Sequence, residues 1–107
     1  MTEFDYQQID DLIHSRIRLS IIALLVSCGE ATFIFIREKI KATDGNLSVQ
    51  LRKLEDASFI KTKKEFVNRK PVSTYSITEK GREGFNEYVK KIESLLNLEE
   101  WWKSNII

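Results

Sequence analysis

Four side chains that can make specific hydrogen bonds lie within eight residues of one another along the chain. They are Asn46, Ser48, Arg52 and Lys53. An asparagine amide can pair with the edge of adenine, and an arginine or lysine can pair with the edge of guanine. Hydroxyls and cations also contact phosphate oxygens. These residue types at this spacing therefore favour contacts with the base edges and phosphates of a DNA major groove.

The stretch from Thr43 to Ala57 that holds these residues is predicted to be one amphipathic helix. Leu47, Leu51 and Leu54 recur at i, i+4 and i+7, so they share one face that can pack on a core. The opposite face carries short polar and basic groups, with Ser48 on its flank: Gly45, Asn46, Val49, Arg52 and Lys53. The alternative is an ordinary surface helix, because a charged outer face is usually solvated.

The amino end and the flank of this helix differ in what they can contact. Thr43 or Asp44 can cap the first turn, and the hydroxyl of Thr43 can also contact a phosphate there. Gln50 lies near the packed side and is therefore the weakest candidate for a groove contact.

The charge of the chain is unevenly distributed. From Arg37 to Arg82 there are twelve Lys or Arg and six Asp or Glu, a net charge of +6, whereas the flanks carry five cations and ten acids, −5. The total of +1 conceals this asymmetry. A basic centre with acidic ends is expected if one surface meets phosphates while the termini serve another purpose.

Three helices and a short strand are predicted before the Thr43–Ala57 helix. A short helix is predicted from Glu3 to Leu12, and a second, apolar nearly all round and hence buried, from Arg16 to Cys28. Ser15 can cap its start, and Gly29 follows its end. The connector 30–32 can pair as a strand, and Thr32 caps a third helix at 33–40. The inward residues of this third helix are predicted to be Phe33, Ile34, Ile36 and Ile40. With the turn at 41–43, it forms a helix-turn-helix with the following helix.

A β-hairpin is predicted after the helix-turn-helix. Its strands are Phe59–Val67 and Val72–Ile77, and the turn between them is Asn68–Pro71. The cations nearest the tip, which are candidates for phosphate or minor-groove contacts, are Lys63, Lys64, Arg69 and Lys70. The alternative is that these charges discourage edge-to-edge aggregation.

Three runs of sequence resemble the small single-domain winged-helix transcriptional regulators of MarR-like type. They are Leu12–Leu19, Asp44–Glu55, and Phe66–Pro71 followed by Thr74–Arg82. The likeness spans roughly residues 9–96. It implies a mainly α fold with a small β-hairpin (α+β), a winged helix-turn-helix in which Asp44–Ala57 is the recognition helix. Two departures are Ala57–Ser58 and Asn68, at positions where such proteins commonly have glycine.

The resemblance also implies a homodimer held by the first and last helices. The last helix is predicted from Glu79, with Thr78 as its cap. The single domain 1–107 then divides into a helix-turn-helix (33–57), a wing (59–77) and dimerisation segments (1–13 and 79–107). Apolar stripes supply the predicted interface residues: Phe4, Ile9, Leu12, Ile13, Phe85, Tyr88, Val89, Ile92, Leu95, Leu96, Trp101 and Trp102. For Trp101 and Trp102, lining an effector pocket is the alternative to packing on the partner.

The sequence gives no support for catalysis or for a cofactor. His14 and Cys28 are each the only residue of their type, without partners at metal-ligand spacing, so no metal site is predicted. Cys28 is predicted to fill the core, with a redox role as the alternative. We therefore expect a binding protein rather than an enzyme.

Size and terminal sequence favour a cytoplasmic protein that does not associate with membranes. The longest apolar run, Ile21–Val26, is far shorter than the roughly 20 residues that span a bilayer. The acidic start lacks a signal-peptide pattern. The expected partners are double-stranded DNA, at a roughly palindromic operator, and a second copy of the chain. The alternative, supported by the small net charge, is a winged-helix module that binds another protein instead of DNA.

Overall fold

The computed structural model of the chain describes residues 10–95. The elements within this range, in chain order, are α1 (Arg16–Cys28), β1 (Glu30–Thr32), α2 (Phe33–Ile40), α3 (Asp44–Asp56), β2 (Ile60–Val67), β3 (Lys70–Ile77) and α4 (Glu79–Leu95). This order confirms the predicted helix-turn-helix followed by a hairpin and a long helix. The predicted helix from Glu3 to Leu12 lies almost wholly outside the described residues, and residues 11–13 form a turn.

Side-chain hydroxyls start all four helices, as the sequence predicts. Ser15, Thr32, Thr43 and Thr78 each accept a hydrogen bond from the backbone N–H three residues later, at 3.5, 3.2, 3.3 and 3.0 Å. These bonds satisfy donors that have no partner inside the helix. Gly29 ends α1 with φ at 84°, a backbone conformation that favours glycine.

The three strands form one antiparallel sheet in the order β1-β3-β2. The hairpin turn has only two residues, Asn68 and Arg69, with φ at 53° and 66°. The predicted four-residue turn is therefore wrong, because Lys70 pairs with Val67 and Pro71 pairs with Phe66 in the ladder. A proline fits there because β1 pairs only with residues 74–76, which leaves that part of β3 as an edge.

Helix α1 supplies the centre of the core, as its apolar sequence predicts. Ile21, Ile22 and Leu25 are fully buried, and they cluster with the three leucines of α3 and with Ile36 of α2. The prediction that Ile34 faces inward is wrong, because its side chain is 58% exposed. Phe33, Ile36 and Ile40 share one stripe of α2, whereas Ile34 lies about 100° away from Phe33 around the helix.

The solvent exposure of individual side chains contradicts two further predictions. Cys28 was predicted to fill the core, but it is exposed, because the last turn of α1 extends past the packed residues. Ile13 and Tyr88 were assigned to a dimer interface, but they are 0% and 8% exposed within the protomer and belong to its core. The hydroxyl of Tyr88 is 3.0 Å from Nδ1 of His14, so this polar group also has a partner inside the protomer.

Gly81 allows α4 to start directly against the end of the α3–β2 connection. Thr78 donates its backbone N–H to the carbonyl oxygen of Phe59 at 3.0 Å, and its hydroxyl lies 2.6 and 2.9 Å from the carbonyl oxygens of Ser58 and Phe59. A Cβ atom at position 81 would overlap the carbonyl group of Phe59. We therefore expect Gly81→Ala to lower the free energy of unfolding by about 1–3 kcal/mol in urea titrations followed by circular dichroism.

Gly45→Ala is the matched control for this substitution. Position 45 also lies in the first turn of a helix, but a Cβ atom there meets no atom within 4 Å. Alanine should raise stability at this site by roughly 0.5–1 kcal/mol, because it loses less backbone entropy on folding than glycine does. Equal changes in the free energy of unfolding for the two variants would contradict the close packing at Gly81.

Candidate nucleic-acid interface

The outer face of α3 is open to solvent along its whole length. Asn46, Ser48, Arg52 and Lys53 are all exposed, and Val49 between them is 51% exposed. On the opposite face the three leucines are at most 1% exposed, so the helix cannot rotate about its axis without uncovering them. The predicted contact residues of the helix are thus brought together on one surface, which we call the α3 face. Thr43, also exposed, accepts a hydrogen bond from the backbone of Asn46 and keeps its own hydroxyl proton available.

A cleft lies between the α3 face and the hairpin. Alternation along the paired strands puts Thr62 and Lys64 of β2 on the same side of the sheet as Ser73 and Tyr75 of β3. These four residues line the cleft together with others from α2 and α3: Phe33, Ser48, Leu51, Arg52 and Glu55. Two cations, Arg52 and Lys64, and three small hydroxyls, those of Ser48, Thr62 and Ser73, thus border one concave surface, a combination suited to a phosphate group.

The four predicted wing cations do not share one surface. Lys64 lines the cleft, whereas Lys63 is on the opposite side of the sheet by alternation, with its Nζ 3.7 Å from a carboxylate oxygen of Glu65. Arg69 occupies the turn, and Lys70 begins β3 on the same side of the sheet as Lys63; both residues are exposed. Lys64 is therefore the wing cation that faces α3, whereas Arg69 and Lys70 offer exposed positive charge at the tip of the hairpin.

The inner side of the cleft contains a carboxylate. Glu55, in the last turn of α3, accepts a hydrogen bond of 2.5 Å from the hydroxyl of Thr62. Burial raises the pKa of Tyr75, and the nearby charge of Glu55 raises it further, so this phenol stays neutral at physiological pH. Anion binding in the cleft is therefore expected on the side of Ser48, Arg52 and Lys64, away from Glu55.

An ion pair joins the two helices of the helix-turn-helix at the amino end of the α3 face. Nη1 of Arg37 donates to both carboxylate oxygens of Asp44, at 3.1 and 3.3 Å. Both side chains are partly exposed, so the pair adds little to stability. Its electrostatic effect is local, because it offsets the negative charge of Asp44 next to the residues predicted to meet a polyanion.

A chain of hydrogen bonds leads from α1 to the α3 face. Nη1 of Arg18 donates to Oε1 of Gln50 at 2.5 Å, and Nε2 of Gln50 donates to Oδ1 of Asn46 at 3.0 Å. Arg18 also donates to the backbone carbonyl oxygens of Leu12 and Asp11, at 2.5 and 3.3 Å. These contacts give Arg18 a structural role, since it joins residues 11–12 to α3. The link to Gln50 was missed, because nothing in the sequence pairs two residues that are 32 positions apart.

The predicted dimer interface is only partly within the described residues. Leu12, Phe85, Val89 and Ile92 retain some exposed surface, in contrast to Ile13 and Tyr88. Phe4, Ile9, Leu96, Trp101 and Trp102 lie outside the described residues, and α4 is described as far as Leu95.

Residues 10–95 contain no group of three or more His, Cys, Asp or Glu side chains that could hold a metal ion. None of the four helices is long and apolar enough to cross a bilayer.

Comparison with known proteins gives one family match and one related sequence. A family model described as a winged helix DNA-binding domain matches residues 17–96. An uncharacterized protein of Methanocaldococcus jannaschii is 37% identical over 84 residues, which make up 78% of this chain and 91% of that protein.

Solved structures show the same arrangement of elements. The transcriptional regulator homologue protein from Pyrococcus horikoshii OT3 superposes with a TM-score of 0.76 at 27% identity, over 80% of this chain and 85% of that chain. ZitR from Lactococcus lactis, a zinc-responsive MarR family member, superposes with a TM-score of 0.54 at 20% identity, over 92% of this chain and 60% of that chain. This second likeness concerns the fold alone, and it confirms the winged-helix architecture expected from the sequence.

Proposed function

Because the chain belongs to the winged helix DNA-binding domain family, we propose that it is a transcriptional regulator that binds double-stranded DNA sequence-specifically as a homodimer. The observation that carries this proposal is the α3 face, where polar and basic side chains are exposed on a helix fixed by buried leucines. A helix of this kind fits the major groove, where each base pair presents a distinct pattern of donors and acceptors.

The α3 face and the hairpin have different roles in this proposal. Asn46, Ser48, Val49, Arg52 and Lys53 approach the base edges, with Thr43 at a phosphate beside the first turn. The hairpin is the wing, and its cations contact the flanking sugar-phosphate backbone. The cleft lined by Ser48, Arg52 and Lys64 holds one phosphate between the two elements. Base contacts then give specificity, while phosphate contacts give salt-dependent affinity.

Dimerisation places two copies of α3 on one operator. The residual apolar surface of α4, at Phe85, Val89 and Ile92, supports this assignment, together with the predicted segments 1–13 and 79–107. Two-fold symmetry of the protein requires a roughly palindromic site, with half-sites about one helical turn, or ~10 bp, apart. Sedimentation at micromolar concentration would detect a monomer if this part of the proposal were wrong.

Selection of bound sequences from a random duplex pool tests DNA binding, palindromy and half-site spacing together. We expect enriched sequences with two related half-sites. Affinity for random duplex should also be measurable at low salt and should fall steeply as salt rises. Negligible affinity at low salt would instead favour the alternative of a protein-binding module, for which the exposed Ile34 and Phe66, 58% and 78% accessible, would be contact points.

A further inference from the structure

The hydrogen-bond chain from Arg18 through Gln50 to Asn46 fixes which way each amide faces. A guanidinium has only N–H donors, so the group of Gln50 that meets Arg18 must be its oxygen. The nitrogen of Gln50 then faces Asn46 and, as a donor, requires the oxygen of Asn46 opposite it. The orientation of the Asn46 amide is therefore set by a residue on another helix.

This orientation leaves Asn46 with a defined pair of groups for a ligand. Its NH2 takes no part in the hydrogen-bond chain. Its Oδ1 has two lone pairs, and Gln50 donates to one of them. The NH2 group, with its two N–H donors, and one lone pair of Oδ1 therefore remain, side by side, on an exposed side chain of the first α3 turn. Adenine presents the complementary pair in the major groove, the N7 acceptor and the N6 donor, and this pair is absent from the other three bases.

We propose that Arg18 and Gln50 are positioning residues that hold the amide of Asn46 in the orientation that selects adenine in each half-site. This inference rests on the proposed DNA-binding function. It adds the identity of one base that the protein recognises, and it names two residues that influence this recognition without touching the DNA. Without these two hydrogen bonds, the side-chain amide of Asn46 can rotate by 180° and present its NH2 and its Oδ1 to a base in either order. The base preference then weakens while contacts to phosphates remain.

Gln50→Leu is the main test, since leucine keeps the helix propensity and the partly buried position but has no polar group. Binding is measured to the selected site, to the same site with each base pair changed singly, and to random duplex. Wild-type protein should discriminate against the changed adenine by about tenfold or more. Gln50→Leu should lose most of that discrimination at the same base pair that Asn46→Ala affects, with affinity for random duplex unchanged.

Arg18→Met tests the other end of the hydrogen-bond chain, and Arg16→Met is its charge-matched control. Arg16 is an exposed residue of the same helix, so both variants remove one cation but only the first breaks the bond to Gln50. Thermal unfolding is recorded for both, because Arg18 also binds the carbonyl oxygens of residues 11 and 12. If Arg18→Met is unfolded, Gln50→Leu still decides the question.

Two further measurements distinguish positioning of the Asn46 amide from a general weakening of DNA binding. Replacing the adenine by 7-deazaadenine removes the N7 acceptor and should weaken wild-type binding but not binding by Gln50→Leu. The double variant Asn46→Ala/Gln50→Leu should discriminate no less than Asn46→Ala alone, because both changes remove the same contact.

The outcomes separate this inference from the proposed function. If the wild-type protein discriminates and Gln50→Leu discriminates equally well, or if the two variants affect different base pairs, the positioning role is wrong and DNA binding stands. If Asn46→Ala alters no base preference, the adenine contact is wrong. If the wild-type protein binds no duplex at low salt, both proposals fail.

Discussion

Replacing Lys64, Arg69 and Lys70 together by glutamine should flatten the salt dependence of DNA binding by two to three logarithmic units per decade of salt. Each phosphate contact contributes a slope of about 0.9, since binding releases counterions condensed on the duplex. Between about 50 and 200 mM salt, the wild-type affinity should therefore fall by roughly 40-fold more than that of the triple variant. The measurement is a titration of random and selected duplexes at several salt concentrations.

The pair of single variants Lys64→Gln and Lys63→Gln is the matched control for this effect. The two residues are adjacent in sequence and carry the same charge, but only Lys64 lines the cleft, whereas Lys63 lies beside Glu65 on the other side of the sheet. Lys64→Gln should lower the slope by about one unit and Lys63→Gln by much less. Equal losses would mean that the two sides of the wing are assigned wrongly, and an unchanged slope in the triple variant would remove the wing from the interface.

Replacing Leu51 by alanine should lower the free energy of unfolding by about 2–5 kcal/mol. Leu51 is 1% exposed in the middle of α3, which packs on α1 and β2, so the lost methyl groups leave a cavity that the neighbours cannot fill. The expected loss is a large share of the roughly 5–15 kcal/mol that stabilise a typical domain. Urea and thermal unfolding would show it, with the melting temperature falling by roughly 10 °C or more.

Val49→Ala on the same helix is the control for this change. Its side chain is 51% exposed on the α3 face, so its truncation should alter stability by no more than about 0.5 kcal/mol. A comparable loss of stability for both variants would contradict the assignment of an inner and an outer side to α3.

Local patterns predicted most of the fold. The caps at Ser15, Thr32, Thr43 and Thr78 depend on residues three positions apart, and the leucine stripe of α3 depends on one helical period, so both are visible in the sequence. The predicted turn is too long because Lys70 and Pro71 belong to β3, where the proline is accommodated beyond the end of β1.

The composition of the candidate site was predictable, but its internal organisation was not. The exposed residues of α3 follow from helical periodicity, whereas the contact of Arg18 with Gln50 depends on how α1 and α3 pack. The separation of Lys63 from Lys64 needs the register of the hairpin, which the two-residue turn at Asn68–Arg69 determines. Burial of Ile13 and Tyr88 likewise depends on tertiary packing, because an apolar stripe does not reveal whether it faces the core or a partner.

The two-residue turn also restricts how insertions can change the wing over evolution. One added residue in each strand would preserve the ladder and extend the tip by about 3.3 Å, but it would move every side chain beyond the insertion to the other side of the sheet. A cation that faces α3 would then face away from it. The wing can therefore be lengthened with its tip in the same orientation only by two residues per strand, four in all, which adds roughly 7 Å of reach.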